Sequence, residues 1–197
     1  MKKSAFLSAL SIGILSIGLA AASPADAVNQ IRQNSVQVLN ILKDANGSND
    51  ATVRRKAEAY AMPYFDFQRM TALAVGNPWR TATPAQKQAL TKEFQTLLIR
   101  TYSGTMMQYK NAKVVVKDNP QVRNNNEIIV NTEVTPPNGK AVKIDFTTYQ
   151  SGNRHRVYNV AVEGASLVTV YRSQFGETVR AKGIDGLIAD LKAKNSR

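Results

Sequence analysis

Cysteine is absent from the 197-residue sequence, and histidine occurs once, at His155. The first absence removes disulfides, thiolate metal sites, cysteine nucleophiles and lipid attachment at a cysteine. The second leaves zinc catalysis without its commonest ligands and makes any histidine dyad depend on His155. There is no Gly-rich phosphate loop, no Gly-x-Ser-x-Gly elbow and no His-Glu-x-x-His pair. Beyond residue 22 no stretch approaches the ~20 apolar residues that span a bilayer. What is there is ordinary globular composition, 43% hydrophobic and 20% charged. The chain is therefore neither disordered nor collagen-like.

The first residues form a separate unit. Lys2 and Lys3 are followed by a charge-free run from Ala5 to Ala22, and Ala25-Asp26-Ala27 offers a small-x-small cleavage site before Val28. This is a secretory signal pattern, cut near Ala27. The expected division is residues 1–27 as a leader and 28–197 as one domain. The expected location is outside the cytoplasm. Loss of the leader takes the formal charge from +12 to +11. The excess is spread over both halves, with 11 basic and 5 acidic residues from Val28 to Lys110, and 13 and 8 from Asn111 to Arg197. A nucleic-acid binder concentrates its charge on one face, tail or helix, so nucleic acid is not an expected partner. Arg54-Arg55-Lys56 reads as a solvated helix face. An exported basic chain meets anionic membrane surfaces or acidic protein partners.

Apolar spacing of three and four predicts a helix from Val28 to about Asp44, ended by Asn46-Gly47. A second runs from Ser48 or Asn49 to about Met62, and a short third is capped by Asp66 and ended by Gly76. Thr83-Pro84-Ala85-Gln86 is a capping box with proline at the first helical position. It opens a long helix with Leu90, Phe94, Leu97, Leu98, Tyr102 and Met106 on one stripe. From Lys113 the period becomes two. Val114 and Val116, then Ile128 to Val134, Val142 to Thr148 and Tyr158 to Val162 predict a four-stranded antiparallel meander with one apolar face. Ser166 opens a helix that Gly183 breaks. Helices, then sheet, then helices define an α+β class with helices on the apolar face of a small twisted sheet, a layering that can enclose an apolar cavity.

No catalytic set emerges. Asp145 and His155 lie near a common hairpin and form the one candidate dyad, but a histidine between Arg154 and Arg156 beside a turn is expected to be solvated. Glu163, next to Gly164, is expected to bond local backbone amides.

Several strings resemble one family. Phe65-Asp66-Phe67-Gln68-Arg69-Met70, Gly76-Asn77-Pro78-Trp79-Arg80-Thr81-Ala82-Thr83-Pro84-Ala85-Gln86, Val162-Glu163-Gly164-Ala165-Ser166-Leu167 and Tyr171-Arg172-Ser173-Gln174-Phe175 resemble segments of the MlaC or toluene-tolerance family. The resemblance covers essentially the whole chain after the leader. It implies an NTF2-like fold and a periplasmic phospholipid carrier that is not an enzyme. It also implies exchange with an outer-membrane lipoprotein complex and an inner-membrane ABC transporter carrying an MCE-domain component. No cofactor or metal is implied, only bound phospholipid as cargo. The alternative is an NTF2-like enzyme using Asp145 and His155 on a small apolar substrate.

A carrier needs an apolar pocket. Its expected lining is Val130, Val142, Ile144, Phe146, Val160 and Val162 on the sheet. The facing helices would add Met70, Leu73, Leu97, Leu98, Tyr102, Met106, Leu167, Val170, Tyr171 and Phe175. Because burying a phosphate is costly unless it is paired, Arg69, Arg80, Lys143 and Arg172 are candidate rim cations for a headgroup.

Overall fold

The computed structural model describes residues 23–123 and 127–196. The leader's charged start and apolar run lie outside the described residues. Helix α1 spans Pro24–Lys43 and starts earlier than the apolar spacing indicates. Ser23 and Asp26 form a reciprocal capping box around Pro24, which fixes the first turn ahead of Val28. Helix α2 spans Asp50–Ala61, with Asn49 at its cap position. The Asn49 side chain accepts from Asn46 N at 2.9 Å instead of capping the helix. After a 3-10 turn at Met62–Tyr64, α3 runs Phe67–Val75, capped by the Asp66 carboxylate, which accepts from Arg69 N at 2.9 Å. Helix α4, Pro84–Met106, starts on the expected Thr83/Gln86 box. Helix α5 spans Leu167–Asn195 and is kinked at Gly183, whose φ of +70° suits glycine.

Between α4 and α5 lie β1 (Lys113–Val116), β2 (Gln121–Arg123), β3 (Glu127–Thr135), β4 (Val142–Ser151), β5 (Arg154–Val162) and β6 (Ala165–Ser166). The antiparallel sheet has the order β1-β3-β4-β5-β6, with β2 also paired to β3. The four expected strands are β1, β3, β4 and β5. The other two are only three and two residues long, too short for alternation to register.

Opposed residues share a face. The rungs Val130–Phe146–Val160, Thr132–Ile144–Val162 and Val134–Val142 therefore build one apolar face. Asn131, Glu133, Lys143 and Asp145 occupy the other. A bulge sets Thr147 opposite Asn159 and Thr148 opposite Val157. Tyr158 is the extra residue, and its ring joins the helical core.

Three closed clusters hold the chain together. The largest joins α3, α4 and α5, centred on Phe94, whose ring meets Tyr171 at 4.9 Å and Phe175 at 5.1 Å, both edge-on. Such pairs add roughly 1 kcal/mol beyond burial. The second packs Ala27, Val28 and Ile31 of α1 on Val116, Ile128, Val130 and Val157. The third joins Leu42 and Ala45 to Val53 and Ala57 of α2.

The helical unit is clasped to the sheet by a charged cluster at the start of β5. Arg69 lies between two rings, 3.8 Å from the centroid of Tyr158 and 4.5 Å from that of Tyr149, and pairs with Glu127 at 2.6 Å. The Tyr149 hydroxyl donates to Asp66, with Arg156 3.9 Å from the same carboxylate. Burial, and Glu127 beside it, push the Tyr158 phenol up to about 12, so it stays a donor. Asp66 thus serves as helix cap and as acceptor of the clasp. Replacing it with Ala is expected to cost about 3 kcal/mol of unfolding free energy, read from urea titration. A loss under about 1 kcal/mol would show that the clasp re-forms without it.

Candidate functional site

The three clusters do not merge. One contiguous core is usual for a domain of this size, yet here apolar residues between the clusters are only half-buried. On the sheet these are Val142, Ile144, Phe146, Val160 and Val162, on the apolar face. Leu73 on α3, Met106 on α4 and Leu167 on α5 are half-buried as well. Phe146 and Val160 border the α1–sheet cluster, and Met106 borders the α1–α2 cluster. The result is an apolar strip along the sheet that borders the α1–sheet cluster at Phe146 and Val160.

The expected lining divides accordingly. Val130, Met70 and Phe175 are closed into the clusters, at 0%, 2% and 4% exposure. Val130 lies beneath α1, and the other two belong to the helical cluster, so periodicity placed them inward without placing them on the strip. Leu97, Leu98 and Tyr171 are buried in the helical cluster, while Tyr102 and Val170 are exposed. Phe65 was not expected. It packs against both the helical and the α1–sheet clusters, from a loop with no periodicity, held by a parallel bridge to Val157.

The rim cations are corrected more sharply. Arg69 is spent on Glu127 and two tyrosine rings. Lys143 projects from the polar face, opposite Glu133. The Arg172 side chain is exposed and passes over the end of α3, its guanidinium 3.5 Å from where a Cβ on Gly76 would stand, at a glycine whose φ is +73°. Arg80 is exposed at the end of a 3-10 turn, beside Trp79, which packs on the helical cluster.

The candidate dyad is ruled out by register. Asp145 stands opposite Ala161, and His155 opposite Gln150. That is five residues along β4, roughly 17 Å at about 3.4 Å per residue, and on opposite faces. Asp145 accepts from Asn131 Nδ2 at 2.7 Å. Glu163 bonds a backbone amide, but one across the sheet instead of a local one, accepting from Lys143 N at 2.6 Å, from a left-handed residue at φ +49°.

His155 is not solvated. It is 2% exposed, and neither ring nitrogen has a partner among the described residues. Strand alternation turns it under α1 while Arg154 and Arg156 face the other way. The Gln30 side chain brackets its backbone, donating to His155 O at 2.6 Å and accepting from His155 N at 2.9 Å. Burial pushes the imidazole below 6.5, with Asp26 pulling weakly the other way.

The sheet, its helical flank and its apolar strip define an α+β protein of NTF2-like fold. The model of the MlaC protein family matches residues 32–193, and the chain belongs to that family. It is 28% identical over 106 residues to toluene tolerance protein ttg2D of Pseudomonas putida, which is 54% of this chain and 49% of that protein. It is 21% identical over 139 residues to the intermembrane phospholipid transport system binding protein MlaC of Haemophilus influenzae, covering 69% and 65% of the two chains. Both matches span less than two thirds of the relative's own length. A solved phospholipid-binding protein from Ralstonia solanacearum, in complex with a phospholipid, superposes with a TM-score of 0.77 at 29% identity. That alignment covers 87% of this chain and 98% of the other.

The buried histidine gives a pH test. Its folded pKa lies below the unfolded value of 6.5. Its share of stability is complete above that value. As pH falls below it, the unfolded chain takes up a proton that the folded chain refuses. His155→Leu, which fills the site without polar atoms, is expected to flatten the decline in urea midpoint between about pH 7.5 and about pH 5.5. Parallel declines in the two proteins would show that water reaches the ring.

Proposed function

We propose that this protein is a periplasmic carrier of diacyl phospholipid, and that the half-buried strip holds the acyl chains. The observation that carries this reading is the division of the interior into three closed clusters around apolar side chains that pack into none of them completely. A two-chain lipid exposes about 30 methylenes, worth roughly 24 kcal/mol at ~0.8 kcal/mol each. Only an interior that replaces the bilayer can move such a molecule through water. The relatives' names and the phospholipid in the Ralstonia structure support the same cargo. The 17 Å separation argued above for Asp145 and His155, roughly five strand residues, leaves the enzyme alternative without its dyad.

On this reading the chain is exported, loses its leader after Ala27 and shuttles lipid between an outer-membrane lipoprotein complex and an inner-membrane ABC transporter with an MCE-domain component. The cut falls in the first turn of α1. Val28 and Ile31 remain to hold that helix on the sheet. The intact mass of protein recovered from the periplasm tests the cut.

Protein purified from a bacterial host is expected to carry diacyl phospholipid with little headgroup preference, identified by organic extraction and mass spectrometry. Thoroughly washed protein without lipid, or filled with one non-lipid metabolite, would overturn the reading. Val160→Glu is expected to empty the protein while leaving it folded, because a carboxylate on the strip meets water once the chains are gone. Circular dichroism and lipid content on one preparation decide this. A folded variant with a full load would remove this strand face from the site, and an unfolded one would return Val160 to the closed core.

A further inference from the structure

Several cations are spent within the fold. Arg32, Arg69 and Lys182 pair with Asp118, Glu127 and Asp190. One region of the surface differs. At the end of α3 the exposed Arg172 guanidinium lies 3.5 Å from where a Cβ on Gly76 would stand. Gly76 opens the 3-10 turn Asn77–Arg80, closed by Trp79 N donating to Gly76 O at 3.0 Å. The half-buried Trp79 ring has Lys87 Nζ of α4 5.8 Å from its centroid, and Arg80 beside it is exposed. Along α5, Gly176 and Arg180 follow Arg172 at four-residue spacing on the same side. Arg180 reaches back to 3.7 Å from where a Cβ on Gly176 would stand. Arg80, Lys87, Arg172 and Arg180 thus occupy one face around Trp79, and none of them forms an ion pair among the described residues. Of the carboxylates nearby in sequence, Glu177 is turned about 100° round α5 from Gly176. Asp185 accepts from Gln86 Nε2 at 2.8 Å.

We propose that this face docks the protein on anionic bilayer surfaces, its three guanidinium groups and Lys87 bonding lipid phosphates in the headgroup layer. The proposal goes beyond the carrier reading and does not require it, since the face is complete whatever the strip holds. The chemistry of the face favours a lipid layer over a protein partner. A protein interface of standard size is built round a desolvated apolar or aromatic centre. Here the central ring, Trp79, is packed on the helical cluster. The exposed apolar residue next in sequence, Val170, is turned to the far side of α5 from Arg172. A phosphate layer asks only for spaced positive donors, and arginine takes a phosphate through two parallel N–H···O bonds. Each cation held near an anionic leaflet multiplies partitioning by about fivefold. With no inserted apolar anchor, such attachment stays reversible.

The test sediments wild-type and variant protein with dioleoyl phosphatidylcholine vesicles that contain either no dioleoyl phosphatidylglycerol or about 30% of it. Wild type is expected to partition at least about tenfold more onto the phosphatidylglycerol vesicles, and to be released as salt rises from about 0.05 M to about 0.5 M. Arg80→Gln/Arg180→Gln, at two exposed positions, is expected to lower that partition about tenfold or more, and adding Arg172→Gln to lower it further. Arg55→Gln/Lys56→Gln removes the same charge from an exposed part of α2 and is expected to change it less than about threefold. Circular dichroism checks that each variant is folded. Equal losses in the two double variants would assign the binding to net charge and overturn the proposal. Wild type that ignores the phosphatidylglycerol vesicles but is retained on polyglutamate would overturn it in favour of an acidic protein partner. Face variants that lose bound phospholipid in step with vesicle binding would return these arginines to the lipid site, and the docking face would fall. Protein that purifies without lipid yet meets these expectations would overturn the carrier reading and leave the docking face standing.

Discussion

Backbone groups along the outer edge of β5 have no strand to pair with over most of its length, and a sheet edge left bare is a liability. Three parts of the chain outside the sheet, α1, the α3 cap and the start of α5, are fastened where one of these groups is satisfied. The Gln30 amide brackets His155 and so sets α1 across the apolar face. Asp66 N donates to Val157 O at 2.8 Å, which puts the α3 cap beside Tyr149 and Arg156. The two-residue strand β6 covers Ala161 and Val162 and feeds directly into α5. Asn159 reinforces that joint, accepting from Ser166 Oγ at 2.9 Å.

The partition of the core follows from this edge. Helices α3, α4 and α5 bury their apolar stripes on one another and touch the sheet where β5 and its bulged Tyr158 allow. Helix α1 covers the apolar face only from Ala27 to Ile31, over Ile128, Val130 and Val157. Past Ile31 it leaves the sheet for α2. The far rungs, Val134–Val142 and Ile144–Val162, belong to none of the closed clusters and stay half-buried.

The sequence made the elements legible where local chemistry decides them. The Thr83 box, the Asp66 cap, the Gly76 and Gly183 breaks and the alternation of β3, β4 and β5 are written in adjacent residues. Glu163 was legible only as a carboxylate that bonds a backbone amide, not as one that reaches Lys143 across the sheet. What could not be read was set by distant partners. His155 looks like a turn residue until α1, 125 positions away in the chain, closes over it. Arg69 looks like a surface charge until Glu127 takes it up. The apolar pattern marks which side chains point inward, but Met70 and Val160 carry the same signal. One is sealed in the helical cluster and the other lies on the strip, a distinction made by how helices dock and invisible to periodicity.

That separation also bears on how a carrier survives unloading. In a protein with a single core wrapped around its ligand, removing the ligand removes the packing that holds the fold. Here each cluster closes on itself: Phe94 on Tyr171 and Phe175, Val130 under Ile31, Leu42 against Val53. The strip contributes little to any of them, so its contacts with cargo can be made and broken without disturbing them. The exposed apolar surface of the empty strip is the corresponding cost, at about 25 cal/mol per Å². On the carrier reading, that unsatisfied surface draws the next lipid in. Stability and affinity are then held by different residues, so substitutions on the strip change the load and substitutions in the clusters change the fold.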